Sequence, residues 1–255
     1  TKSIATIYEK GKNGMSQKKI LFILPGWGGS KKTWEGFVSF LSSHIPDVDV
    51  HVLDLPCFGE TSCPTDVWGV KEYAKFVKNK MSHIKGDRVM ILGHSFGGQV
   101  AAYLVAHHPE VCERLILSGA AIYRPKRYFK RTLFGIIAKM LAFMLTFPIL
   151  KSRARYVKKV VYRCLGSSDY EESRGVKREI YKKVVREDVS DILCKIIVHT
   201  DIVWGEKDRH TPLRYGKKTA EEIPNAQLHI VEGGTHGLHL HKKKAFVDIL
   251  QNILL

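Results

Sequence analysis

Six short apolar, β-rich runs recur along the chain, at Ile20–Leu24, Val48–Leu53, Val89–Leu92, Leu115–Ser118, Ile202–Trp204 and Leu228–Val231. Segments of helical period separate them. Val70, Tyr73, Ala74, Val77 and Met81 fall on one helical stripe, and the apolar run Ala101–His107 marks a second helix closed by Pro109. Strands that alternate with helices are joined by crossovers, not hairpins, and so form a parallel sheet covered on both faces. The chain is therefore expected to be an α/β protein with a mostly parallel, doubly wound sheet.

The alternation fails once. From about Ile122 to Leu193 dense Lys and Arg and helical pattern replace any strand. This predicts a helical, strongly basic insertion over 122–193, in a core made of 1–121 and 194–255. A chain of 255 residues accommodates one such domain, and 44% hydrophobic with 26% charged residues suits a protein that buries a core. The formal charge of +16 is unusual. It points to anionic partners without bearing on fold. A nucleic-acid binder is disfavoured, since no recognised module and no basic groove interleaved with aromatics is present. Oligomeric state is not readable.

The five cysteines, Cys57, Cys63, Cys112, Cys164 and Cys194, are odd in number, scattered and without CxxC spacing. Neither a disulfide framework nor a zinc site is expected, and a reducing cytoplasm is the simplest reading. The opening segment TKSIATIYEKGKNG lacks an apolar core and is not expected to be a signal peptide.

The segment ILGHSFGGQV, 91–100, puts Ser95 between Gly93 and Gly97, with a strand pattern before it and a helix pattern after it. A nucleophilic serine must show its Oγ at the edge of the sheet. A tight strand–turn–helix corner does this but crowds the backbone two residues to either side, so those residues must be small. The Phe96 N–H at the start of the following helix then faces the same space. A capping serine in a glycine-rich turn is the plainer alternative.

With these residues in view, the chain resembles the α/β-hydrolase family over nearly its whole length outside the insertion. The resemblance implies an α/β-hydrolase core with an inserted cap, and a triad in the order serine, acid, histidine. Ser95, Asp208 in VWGEKD and His236 in EGGTHGLHL meet that order, and the last two follow predicted strands. Open α/β sheets place their sites on such loops. His236 would take the Ser95 proton and Asp208 would orient and stabilise the imidazole. Among rivals, His94 adjoins the serine but is expected to pack behind the corner, and His229 lies in a strand. His239 and His241 fall near the last helix, His210 is placed at the mouth, and Asp201 serves only if its strand ends early.

The second oxyanion donor is expected in LPGWGGS, as the Trp27 N–H, which resembles the family's oxyanion loop with Pro25 where histidine is usual. LDLPCFGETS also resembles a family segment, with Cys57 where glycine is common, and is assigned to structure. After the histidine, His241 and Lys243 stand where relatives carry glutamate and proline. Gly26, Gly28, His94, Phe134, Met140 and Met144 are assigned to the substrate pocket. No metal or organic cofactor is expected.

A serine at this corner excludes the family's aspartate-dependent dehalogenase and epoxide chemistry. Acyl transfer remains: a carboxylesterase or lipase-like reaction on a small-molecule ester with an apolar acyl group. Thioesterase, lactonase, amidase and carbon–carbon hydrolase share the triad, and a hydrolase-like receptor with slow turnover stays open. The loop wording resembles capped esterases that include those cleaving pimeloyl carrier-protein methyl esters. Leu133–Leu150 is nearly all apolar between basic clusters, but it holds Lys139 and sits between sheet strands. A lid is expected there, not a membrane span. The lid either roofs an acyl pocket or also rests on an anionic membrane or an acidic carrier protein. The localisation expected is cytoplasmic, with peripheral membrane contact as the alternative.

Overall fold

A computed structural model describes residues 18–84, 86–124 and 175–255, and there all six apolar runs are strands. They are β1 (Lys19–Leu24), β2 (Val48–Val52), β3 (Arg88–His94), β4 (Arg114–Ser118), β5 (His199–Gly205) and β6 (Ala226–Val231). The strands form one sheet of order β2-β1-β3-β4-β5-β6, with every neighbouring pair parallel. The helices are α1 (Lys31–His44), α2 (Val70–Met81), α3 (Phe96–His107), α4 (Gly175–Val184), α5 (Leu213–Glu222), α6 (Leu238–His241) and α7 (Lys243–Leu254).

Side-chain alternation along the strands builds two cores. Ile20, Phe22, Leu24, Ile91, Leu115, Leu117, Ile202 and Trp204 face one side, against α2 and α3. Leu21, Ile23, Met90, Leu92, Ile116 and Val203 face the other, against α1 and α7. Each such buried side chain contributes about 1.5–3 kcal/mol relative to exposure, so the sheet is held from both faces. Ile122, Ile180, Val184, Val189 and Leu193 join the first core.

The strand order reverses beside β1, whose neighbours are β2 on one side and β3 on the other. Sheets of this type bind ligands at such a switch, beyond the carboxyl ends of the strands. Leu24 lies level with Gly93, and His94 with Ser118. The loops that leave β1, β3 and β4 therefore start side by side.

Asp201 is interior to β5 and fully buried, bonded to Arg114 Nε at 2.7 Å and to His229 Nε2 at 2.8 Å. It ties three strands together instead of reaching the loops. Cys57 and Cys63 form a disulfide, which corrects the expectation of unpaired thiols. The turn after β2 brings two cysteines six residues apart together, a closure that cysteine counting cannot foresee. Cysteine usage consequently gives no support to a reducing cytoplasm. Among the described residues, no helix is long and apolar enough to cross a membrane. The run Leu133–Leu150, with Phe134, Met140 and Met144, lies outside the described residues.

Candidate active site

Ser95 sits between β3 and α3 with φ 53° and ψ −115°. A non-glycine residue with positive φ costs about 1–3 kcal/mol and persists only when its surroundings fix it. Here the Ser95 N–H donates to Ser118 O at 3.0 Å, and Ser95 O accepts from the N–H groups of Gln99 at 3.1 Å and Ala121 at 2.9 Å. The flanking glycines are sterically required. A Cβ on Gly93 would come within 2.6 Å of Gly98 Cα, and one on Gly97 within 2.5 Å of the Pro25 carbonyl oxygen. Phe96 opens α3, so its amide is among the first four of the helix, which have no partner within it.

The loop after β1 turns sharply. Gly29 N–H donates to Gly26 O at 2.9 Å, and Gly28 at the third position has φ 79°, the positive value that a type II turn requires there. The Trp27 ring packs against Phe58, Phe96 and Tyr181, at centroid distances of 4.8, 5.5 and 5.0 Å.

Asp208 follows β5 on a loop fixed by Trp204, whose indole N–H donates to Thr211 O at 2.7 Å. One carboxylate oxygen, Oδ1, accepts the N–H groups of His210 at 2.8 Å and Thr211 at 2.9 Å. The other, Oδ2, lies 2.7 Å from His236 Nδ1 and 2.9 Å from Thr211 Oγ1. Burial pushes the Asp208 carboxyl up, but the His236 hydrogen bond and charge, with the bonds from Thr211, outweigh burial and hold it below its ordinary value. Because the carboxylate can only accept, His236 carries its proton on Nδ1, which leaves Nε2 as the basic nitrogen of the neutral ring. Gly119, at φ 54°, makes room for this pair. A Cβ there would lie 3.1 Å from His236 Nδ1.

A cavity of about 510 Å³ unites most of the residues singled out in the sequence: Gly26, Trp27, Gly28, His94, Ser95, Phe96 and His236 all line it. Asp208 stands behind His236. His210 also lines the cavity, its ring 5.0 Å from that of His236. His94 is buried, and its Nδ1 donates to Ser118 O at 3.0 Å. Burial first, then the charges of His236 and His239, hold its pKa well below the ordinary 6.5. His241 lies beside the site on α6 and His229 is held at Asp201.

Three contributors escaped the sequence reading, and a fourth, His239, was weighed there only as a rival near the last helix. Thr211 bonds to the Asp208–His236 pair, and D-x-x-T before a proline was a usable signal for it. His239 stacks on Trp34 with centroids 3.9 Å apart, and burial holds its pKa down to about 4. Gly119 and Arg124 carried no local motif.

A family model for the alpha/beta hydrolase fold matches residues 19–156, more than half of the chain. The chain is 26% identical over 222 residues to a 2-hydroxy-6-oxononadienedioate/2-hydroxy-6-oxononatrienedioate hydrolase of Cupriavidus pinatubonensis, covering 80% of this chain and 76% of that protein. It is 24% identical over 254 residues to a pimeloyl acyl-carrier-protein methyl ester esterase of Neisseria meningitidis, covering 92% of this chain and 77% of that protein. A bromoperoxidase structure from Bacillus anthracis superposes with a TM-score of 0.69 at 22% identity, covering 92% of this chain and 91% of that one.

Proposed function

The chain belongs to the α/β-hydrolase family, and on that premise we propose that it is a serine hydrolase cleaving carboxylic esters through an acyl-enzyme on Ser95. One observation carries the reading. The strained Ser95 corner opens onto the same cavity as His236, whose Nδ1 is held 2.7 Å from buried Asp208.

In this mechanism Ser95 Oγ attacks the ester carbonyl carbon and its proton passes to His236 Nε2. The developing oxyanion accepts hydrogen bonds from the Trp27 and Phe96 N–H groups. The imidazolium, stabilised by Asp208, then gives its proton to the departing alkoxide and an acyl-enzyme remains. Water attacks it with His236 again acting as base, releasing the acid and restoring Ser95. The apolar wall of Trp27, Phe96 and Val184 suits an apolar acyl group. An ester bond is favoured by the name of the Neisseria relative. Carbon–carbon hydrolysis by the same triad is the second reading, favoured by the name of the Cupriavidus relative.

A series of p-nitrophenyl esters of rising acyl length, run with wild type and Ser95→Ala, tests the reading. Wild type should turn over at least one ester and bind a fluorophosphonate covalently at Ser95. Losing the nucleophile in comparable triads costs on the order of 10⁶ in kcat, so Ser95→Ala should be inactive. Labelling without turnover of any ester would favour the carbon–carbon reading or a receptor, and activity retained in Ser95→Ala would remove Ser95 from the mechanism. The surface contact expected of the basic insertion is a separate proposal. It predicts sedimentation with anionic but not zwitterionic vesicles, weakened by salt.

A further inference from the structure

Arg124 lines the same cavity as Ser95 and His236, and among the described residues no carboxylate is bonded to its guanidinium. Its Nη2 donates to Gln99 Oε1 at 2.9 Å and to Val184 O at 3.0 Å. Its Nη1 makes one long contact, 3.5 Å, to Tyr123 O, and its buried Nε has no partner among the described residues. Of its five N–H groups, two are well bonded, one weakly, and two have no partner among the described residues. Gln99 is fully buried and its Nε2 donates to Glu187 O at 2.6 Å, so its Oε1 must face Arg124. The guanidinium is thus mounted from behind, between α3 and α4.

No carboxylate of the described residues forms an ion pair with that guanidinium. Asp188 and Glu187 act on it through their charge, yet their bonds go to amides and a hydroxyl. Asp188 accepts from Arg124 N and from Ser190 N and Oγ, and Glu187 accepts from Val70 N. Leaving a largely buried charge unpaired is costly unless a partner arrives. The described cavity wall supplies none. Its described lining holds Arg124 and the histidines His94, His210, His236 and His239, with no Asp or Glu.

On the hydrolase reading above, we infer that Arg124 forms a subsite for a carboxylate carried by the substrate at the end remote from the scissile carbonyl. The substrate class is then a half-ester of a dicarboxylic acid or a similar anionic acyl compound. Planar guanidinium pairs with carboxylate through charge-assisted bonds that are shorter and stronger than neutral ones. A volume of about 510 Å³ lies within the range of sites that enclose a small organic molecule.

The test compares mono-p-nitrophenyl esters of C4–C8 dicarboxylic acids with p-nitrophenyl esters of monocarboxylic acids of equal length. Wild type should prefer the carboxylate-ended member in kcat/KM by tenfold or more, and Arg124→Gln should cut that ratio at least tenfold. The ratio cancels any general weakening that the substitution causes. A second measurement needs no turnover and no Arg124 variant: Ser95→Ala protein should bind a free C6 dicarboxylate at least tenfold tighter than the C6 monocarboxylate by calorimetry. Equal binding of the two, or a ratio unchanged in Arg124→Gln, overturns the subsite. If fluorophosphonate fails to label Ser95 and no ester turns over, the hydrolase reading falls, and the binding arm still decides the subsite.

Discussion

His236 Nδ1 lies 2.7 Å from Asp208 Oδ2, and on the proposed mechanism this contact links activity to acid stability. Asp208 titrates below its ordinary 3.8, because the His236 and Thr211 interactions outweigh the upward push of burial. A carboxyl depressed in the folded state adds stability above its unfolded pKa and loses it as pH falls through the folded value. Acid unfolding of wild type should therefore be steeper below about pH 4 than that of Asp208→Asn, as followed by circular dichroism. The same variant should lose about 10⁴ in kcat, since the amide holds the wrong imidazole tautomer. Equal acid slopes would show that the pair does not carry this linkage.

Thr211 Oγ1 sits 2.9 Å from Asp208 Oδ2, 3.2 Å from His236 Nδ1 and 3.0 Å from Gly119 O. On the proposed mechanism it is a positioning residue, acting through Asp208 and His236. A hydrogen bond to a charged group is worth about 1.5–3 kcal/mol, and each 1.36 kcal/mol of barrier is tenfold in rate. Thr211→Val should lower kcat by roughly ten- to a hundredfold with little change in KM, while Thr211→Ser keeps most of the rate. A loss shared equally by the Ser and Val variants would point to packing of the methyl group instead.

His239, buried face to face on Trp34, has an Nδ1 without a partner among the described residues. Burial, then the charges of His236, His241 and Lys243, hold its pKa down to about 4, against 6.5 in the unfolded chain. Between those two values the unfolded chain binds the extra proton, so stability falls as pH drops through that window. The full difference corresponds to on the order of 3 kcal/mol. His94 acts in the same direction. His239→Phe keeps the stack and removes the titration, so its denaturant midpoint should fall less between pH 7 and pH 4.5 than that of wild type. An identical pH dependence in the two proteins would refute this assignment.

Periodicity made the sheet legible because the central strands are apolar on both faces and every crossover must be helical. The Ser95 corner was legible because steric crowding writes itself as glycine at 93 and 97. Position after a strand pointed to Asp208 and His236, which the structure brings to 2.7 Å of each other. Other parts depend on distant residues meeting, and sequence spacing holds no record of that. Arg124 meets Gln99 across 25 residues and Val184 across 60. Thr211 meets Gly119 across 92. The Cys57–Cys63 bridge was misjudged for a related reason: a count of cysteines ignores the turn that joins two of them.

Gly119 gives the sharpest separation of activity from folding. It has φ 54°, and a Cβ there would lie 3.1 Å from His236 Nδ1 and 3.2 Å from Asp208 Oδ2. Placing alanine in this conformation costs about 1–2 kcal/mol, which for a domain of this size lowers Tm by roughly 2–8 °C. The new methyl group also needs a few tenths of an ångström. A backbone bond fixes Gly119 itself, since its N–H donates to Val203 O at 3.2 Å. The His236 ring, on the loop after β6, is the neighbour that can give way. A displaced base costs on the order of 10² in rate per ångström, so Gly119→Ala should fold with a modestly lower Tm and lose about tenfold to a hundredfold in kcat. Gly97→Ala is the contrast. Its methyl group would meet the backbone of Leu24 and Pro25, which cannot move without breaking the sheet end, so that variant should fail to fold. Thermal melts with p-nitrophenyl ester kinetics on both proteins check the pair, and a fully active Gly119→Ala would show that the His236–Asp208 pair tolerates the displacement.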